Sequence, residues 1–294
     1  MNSPDTLVTS RPKRIFPKTT GLTALWRHRQ TLRVLVQRDL AVKYQKTVMG
    51  YFWSLLEPMG LATIYWFVFG VVMQVGARGD SALEHVDYSL YIVSGIFAWM
   101  WASSAISEAT TCLTSQSSLI TTMKVPREVF PVARVVARFA EFLAGIPIIV
   151  IFALLGRGIS AGTFGWNLLL LFPAVALQAV LLTGLAFILA SLNVLYRDVQ
   201  RFMRLVTRIL FYAVPSIYPL ALVLKSDNLP EWAKSIYLAN PFVVIVEIHH
   251  EAWIPGLNNL TWQMITTSVA ISVFLLFFGR WMFHRLEPMV LKEL

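Results

Sequence analysis

The chain is predicted to be an all-α membrane protein. Six transmembrane helices follow an N-terminal amphipathic interface helix, and re-entrant half-helices lie near the outer boundary. Three observations predict this. Hydrophobic residues make up 56% of the 294 residues and charged residues 14%, which leaves too little polar surface to cover a water-soluble fold of this size. Six stretches reach the roughly 20 apolar residues that a helix needs to cross the hydrocarbon. No stretch alternates as strands do, and a bilayer otherwise admits only helices.

Residues 1–20 hold Pro4, Pro12 and Pro17 among scattered Lys and Arg, and read as a disordered basic leader. They lack the apolar core of a cleavable signal, so insertion is expected to begin with the first span. Residues 21–46 carry Leu22, Leu25, Trp26, Leu32, Leu35, Val36, Leu40 and Val42 near helical spacing, with basic residues between them. This is an interfacial amphipathic helix, either a membrane anchor or a docking surface. The expected spans are Tyr51–Val75, Tyr88–Leu113, Val129–Leu155, Trp166–Leu192, Met203–Leu224 and Leu260–Phe283, within a six-span domain over 51–285 and ahead of a short cytoplasmic tail, 286–294.

The connections differ in character. Residues 114–128 and 196–208 are short and charged, and read as helical elbows. Residues 225–259 are too apolar for a solvated loop, yet Pro230, Asn240-Pro241 and Pro255-Gly256 forbid one continuous helix there. Half-helices packed near the outer boundary satisfy both constraints.

Charge sets the orientation. With the N-terminus inside, only Arg78, Arg157, Lys225 and Lys234 of the 25 Lys and Arg residues fall outside. The positive-inside rule therefore places both termini in the cytoplasm. Basic loops beside anionic lipid account for the net charge of +9, so nucleic-acid binding is not needed. The single cysteine, Cys112, excludes an intramolecular disulfide and reads as a small buried apolar residue.

Few groups suggest chemistry. There is no G-x-x-x-x-G-K-[ST] loop, so the chain does not bind ATP in that way by itself. Nor is there a G-x-S-x-G elbow, an H-E-x-x-H helix or a cysteine pair for zinc. Glu247 and His250 have E-x-x-H spacing, but a di-metal carboxylate site needs a second such motif and two more Glu. No metal is expected. The Glu247–Glu251 run reads as a polar cap at a turn between half-helices, or, on a rival reading, as the active site of a membrane enzyme acting on lipid-linked sugars. Glu57, Glu108 and Glu141 lie at membrane depth, where carboxylates need a partner or a wet path. Glu57 or Glu108 is expected to pair with Arg134 or Arg138. Tyr65, Trp101, Tyr212 and Tyr218 belong either to interfacial belts or to a lumen.

Several spaced runs then point to a family. Arg38-Asp39 through Lys43-Tyr44, Thr47-Val48-Met49-Gly50 and Trp53, with Pro58 in the first span, resemble the N-terminal signature of type 2 ABC exporter permeases. Val125-Pro126, Phe130-Pro131, Tyr196-Arg197-Asp198-Val199, Pro215, Tyr218-Pro219 and Asn240-Pro241-Phe242 agree in order. The likeness is nearest to the polysaccharide branch, which exports O-antigen, capsule, teichoic acid and mycobacterial galactan, and the basic leader is like that of actinobacterial galactan exporters.

The resemblance implies a non-enzymatic permease subunit in the bacterial plasma membrane, working as a homodimer with a separate ABC ATPase. That partner would hold ATP and Mg, and the cargo would be a lipid-linked glycan; a small drug or lipid is the alternative. It assigns ATPase coupling to Arg38, Lys43, Ser117, Lys124, Arg127, Arg197, Asp198 and Arg201. The candidate translocation path is Glu57, Tyr65, Trp101, Glu108, Tyr212 and Tyr218, and the outer gate holds Asn240, Pro241, Glu247 and His250. Glu57 stands where relatives are expected to carry a neutral polar residue.

Overall fold

The computed structural model describes residues 26–72, 88–122, 125–155 and 164–293, and every regular element among them is helical. The leader, the start of the interface helix and Lys124 lie outside the described residues. In chain order the helices are α1 (Arg29–Tyr44), α2 (Trp53–Tyr65), α3 (Tyr88–Ser115), α4 (Ser117–Thr122), α5 (Val129–Leu155), α6 (Leu171–Leu195), α7 (Asp198–Ala213), α8 (Leu220–Leu224), α9 (Glu231–Ala239), α10 (Pro241–Trp253) and α11 (Trp262–Glu293). A π-helical segment, Trp66–Val72, prolongs α2, and a 3-10 turn, Trp166–Leu170, leads into α6.

Four of these helices are long and apolar enough to cross a bilayer: α3, α5, α6 with its leading turn, and α11. The stretch expected as a fifth continuous span is divided instead. Its helix begins at Asp198 and ends at Ala213, and helix resumes only at Leu220. Pro215 and Pro219 are the reason, since neither can donate to the preceding turn. The carbonyls freed at the break are satisfied from α3. Tyr88 Oη donates to Ile217 O at 2.6 Å, and Tyr91 Oη lies 3.1 Å from both Pro215 O and Tyr218 O. An irregular backbone at membrane depth needs such partners.

The core runs through α3. Tyr91, Ile92, Val93, Ile96 and Ala98 are buried there, against α5, α6 and α10. Small residues set the closest approaches. A Cβ on Gly184 of α6 would meet the α11 backbone at Leu275 and Leu276 at 2.6 Å, and one on Gly279 would run into Gly184 O. These helices touch backbone to backbone, as small residues allow in membranes. Buried Gln178 ties α6 to two neighbours, donating to Ala98 O at 2.9 Å and meeting His249 Nε2 at 3.0 Å. A second apolar cluster (Leu35, Cys112, Leu113, Val129, Phe130, Phe187 and Phe283) joins α1 to the bundle.

Candidate functional site

Three polar constellations stand out, and the first lies beneath α1. That helix turns Leu35 and Asp39, one turn apart, toward the bundle, and both are buried. Asp39 Oδ2 lies 3.3 Å from Arg134 Nη1 of α5. Lys43 Nζ sits 3.1 Å from Glu141 Oε1 and 3.7 Å from Glu108 Oε1. Arg138 is 1% exposed, lies 3.1 Å from Glu108 Oε2, and also contacts Glu141 one turn along α5. Three carboxylates thus meet three cations, and the network fastens α1 to α3 and α5. Of the two carboxylates expected to pair with Arg134 or Arg138, Glu108 pairs with both. Glu57 is exposed and forms no ion pair among the described residues.

The second constellation binds the elbow before α5 to the end of α11. Arg127 Nη1 lies 2.8 Å from Glu287 Oε1, and the buried Glu128 lies 3.1 Å from Arg280 Nε and contacts His284. Burial alone pushes the Glu128 carboxyl up, but His284 and Arg280 outweigh it and hold the group below its ordinary value of 4.5. Arg127 therefore spends its charge within the chain, while Ser117 opens the short helix α4, half-buried. Glu128, Arg280 and His284 were not singled out from sequence; the available signal was an acid directly before the third span and two basic residues one turn apart near the end of the last.

Arg197, Asp198 and Arg201 stand at the start of α7, all exposed, with Asp198 3.9 Å from Arg201. No residue of α7 is buried. Its exposed surface carries Arg201, Arg204 and Arg208 beside Phe202, Leu205, Ile209 and Tyr212. Arg38, by contrast, leans on its neighbour Asp39 at 3.5 Å.

The candidate path residues fall into two groups. Tyr65, Tyr212 and Tyr218 gather at the end of α7, where Tyr65 packs 5.7 Å from Phe211 and Tyr218 Oη donates to Tyr212 O at 3.0 Å and meets Tyr237 Oη at 3.1 Å. Trp101 is separate and 3% exposed; its indole donates to Val135 O at 3.3 Å and its ring lies 5.0 Å from Phe139. A groove beside it is shared with Glu57.

The third constellation lies in α10. Asn240 caps the helix, accepting from Phe242 N at 3.0 Å, and Pro241 takes the first helical position, where no N–H is needed. The Glu247–Glu251 run was expected at a turn between half-helices. The structure corrects this: the run lies inside α10, which continues to Trp253, because no Pro or Gly interrupts 242–253. Glu247 and His250 are buried and 3.4 Å apart, Asn259 Nδ2 donates to Glu247 Oε1 at 2.8 Å, and His250 stacks on Tyr91 at 3.7 Å. Gly95 makes room for that imidazole, since a Cβ there would meet its Nε2 at 2.5 Å. Among the described residues no group of three or more His, Cys, Asp or Glu is placed to hold a metal ion.

Long apolar helices packed by glycines, a polar break closed by tyrosines and charged elbows at one end define an all-helical integral membrane protein. Residues 30–251 match the family described as ABC-2 type transporter, and the chain belongs to that family. It is 28% identical over 251 residues to the O-antigen export system permease protein RfbA of Klebsiella pneumoniae, covering 83% of this chain and 90% of the relative. The protein of the same name from Myxococcus xanthus is 28% identical over 224 residues, covering 76% and 79%. The polysialic acid transport protein KpsM of Escherichia coli is 22% identical over 229 residues, covering 77% and 82%.

Proposed function

We propose that this chain is the permease subunit of an ATP-driven exporter that carries a lipid-linked polysaccharide from the cytoplasmic to the outer face of the bacterial inner membrane. The observation that carries the proposal is the family match over 30–251 together with relatives named for O-antigen and polysialic acid transport. In this reading the chain crosses six times with both termini inside, and two copies pair with two ABC ATPase subunits. ATP and Mg belong to the ATPase, and this chain needs no cofactor.

The exposed start of α7 supports the coupling role. Among the described residues Arg197 and Arg201 have no buried partner, and they adjoin exposed apolar residues that call for a protein neighbour. Movement of the ATPases would push on this helix and on α4, and rigid-body displacement of the spans would open the outer segment.

The test is charge reversal, Arg197→Glu with Arg201→Glu, in the bacterium that carries the chain. Both side chains lie outside the core, so the variant folds. The ATPase is expected to fail to co-purify and lipid-linked glycan to accumulate inside the cell. Undiminished co-purification and export would remove α7 from the coupling surface. Normal surface glycan in a strain lacking the chain would overturn the exporter reading itself.

A further inference from the structure

A groove of about 110 Å³ opens between α1, α2, α3 and α5. One wall is the start of α2, with Trp53, Ser54, Glu57 and Pro58; Phe97 and Trp101 of α3 lie behind, and Lys43 of α1 faces it together with Arg138 and Glu141 of α5. The charges on the two walls are not equivalent. Lys43 and Arg138 are held by Glu108 and Glu141. Glu57 is the only charged residue of α2, and among the described residues nothing pairs with it.

A second acceptor stands next to it. Pro58 has no N–H, so it cannot supply the helical hydrogen bond to the Ser54 carbonyl one turn back. The Ser54 hydroxyl is turned to Tyr51 O, at 2.7 Å. One wall therefore offers a carboxylate and a carbonyl with the half-exposed Trp53 beside them, and the other offers the N–H groups of Lys43 and Arg138 next to the Glu141 carboxylate they hold.

That arrangement discriminates between ligand classes. A phosphate would meet Glu57, and an ammonium would meet Lys43 and Arg138. An acyl chain would cover Glu57 without a partner, which is costly. A neutral ring bearing adjacent hydroxyls suits both walls, because each hydroxyl donates to Glu57 and accepts from a cation, while its C–H face lies on the indole.

We infer that this groove is a subsite for one neutral sugar ring, with Glu57 accepting from neighbouring hydroxyls and Trp53 packing on the ring face. The inference rests on the exporter reading and names the part of the cargo that this end of the protein recognises.

The experiment uses the full chain with its ATPase in lipid nanodiscs and two photoreactive probes. One is a polyprenyl diphosphate bearing a disaccharide with a diazirine on its terminal hexose. The other is the same lipid diphosphate without sugar, with the diazirine on its prenyl chain. The sugar probe is expected to label the peptide containing Ser54 and Glu57, in competition with free disaccharide. Glu57→Gln should cut that labelling about tenfold, the effect of losing one charge-assisted hydrogen bond, and Trp53→Ala should weaken it too. Neither should shift the melting temperature, since Glu57 gives up no partner. Equal labelling of this peptide by the sugarless lipid, or labelling unchanged by Glu57→Gln, would overturn the subsite. If Glu57→Gln cells export normally while a strain lacking the chain does not, the subsite fails and the exporter reading stands. If the strain lacking the chain exports normally, it is the exporter reading that fails.

Discussion

Glu141→Gln should be among the most damaging single changes where α1 meets the bundle. The wild-type carboxylate takes Lys43 Nζ at 3.1 and 3.2 Å and touches Arg138, whose side chain is 1% exposed. Without it Arg138 retains Glu108 alone, which is 29% exposed and already shared with Arg134 at 3.8 Å. Breaking a buried pair costs about 3–5 kcal/mol, and the surviving Glu108 contact puts this case near 2–3. The Lys43 pair is 38% exposed on the lysine side, so screening holds its share to under about 1 kcal/mol. The total is about 3 kcal/mol, or roughly 6–10 °C in melting temperature for a chain of this size.

The assay is thermal unfolding in nanodiscs, paired with hydrogen exchange of α1. Lys43→Met alone should cost under about 1 kcal/mol, and the double variant should cost little more than Glu141→Gln because the two share one interaction. Protection should fall along α1, which this cluster holds to the bundle. A Glu141→Gln protein that melts within about 2 °C of wild type would refute the reasoning, as would α1 protection left unchanged.

Two other expectations concern packing and pH. Gly184→Ala drives a methyl group into the α11 backbone at 2.6 Å, and overpacking there should cost about 1–3 kcal/mol. Gly60→Ala in α2 meets nothing within 4 Å and should be neutral or slightly stabilising, so the two melting temperatures should move apart. Glu128 is held below 4.5 when folded, so its contribution to stability is complete above the unfolded pKa and is lost as pH falls through the lower folded one. The gap in melting temperature between wild type and Glu128→Gln should therefore close as pH falls below about 4. A gap that widened between about pH 5 and pH 3 would contradict the ion pairs drawn around Glu128.

Much of the architecture was legible because a bilayer simplifies the reading. Any helix such as 88–115 or 129–155 must announce itself as a long apolar run, and the two charged elbows fall where those runs stop. Tyr88 and Tyr91 show what was not legible. Their aromatic character fits an interfacial belt equally well, and only the fold brings them within reach of the carbonyls that Pro215 and Pro219 release. The proline pair is visible in the sequence, where it serves as a landmark of the family resemblance, while the apolar content of 203–224 reads as one continuous span. Asp39 was seen as part of a motif, and its burial follows from sharing a helix face with Leu35. Glu108 differs from Glu57 only through its neighbours: α5 passes Glu108 with two arginines one turn apart and leaves Glu57 without either.

What each exposed apolar face can meet follows from the charges beside it. On α11 the stretch from Trp262 to Gly279 carries no charged residue, and Phe274, Phe277 and Phe278 stand exposed along it. Hydrocarbon suits that face, and nothing polar is lost by placing it there. On α7 the exposed Phe202, Leu205 and Ile209 alternate with Arg201, Arg204 and Arg208. An arginine at bilayer depth costs several kcal/mol unless it is paired or reaches the headgroups, so lipid tails alone cannot cover this helix, and water alone would leave its aromatic and branched residues exposed. Only the membrane boundary, or a protein surface carrying acids beside apolar groups, satisfies both. That requirement, together with the absence of any buried residue on α7, leaves its outer face open to a partner even though Val199, Met203, Leu210 and Phe211 pack against the core.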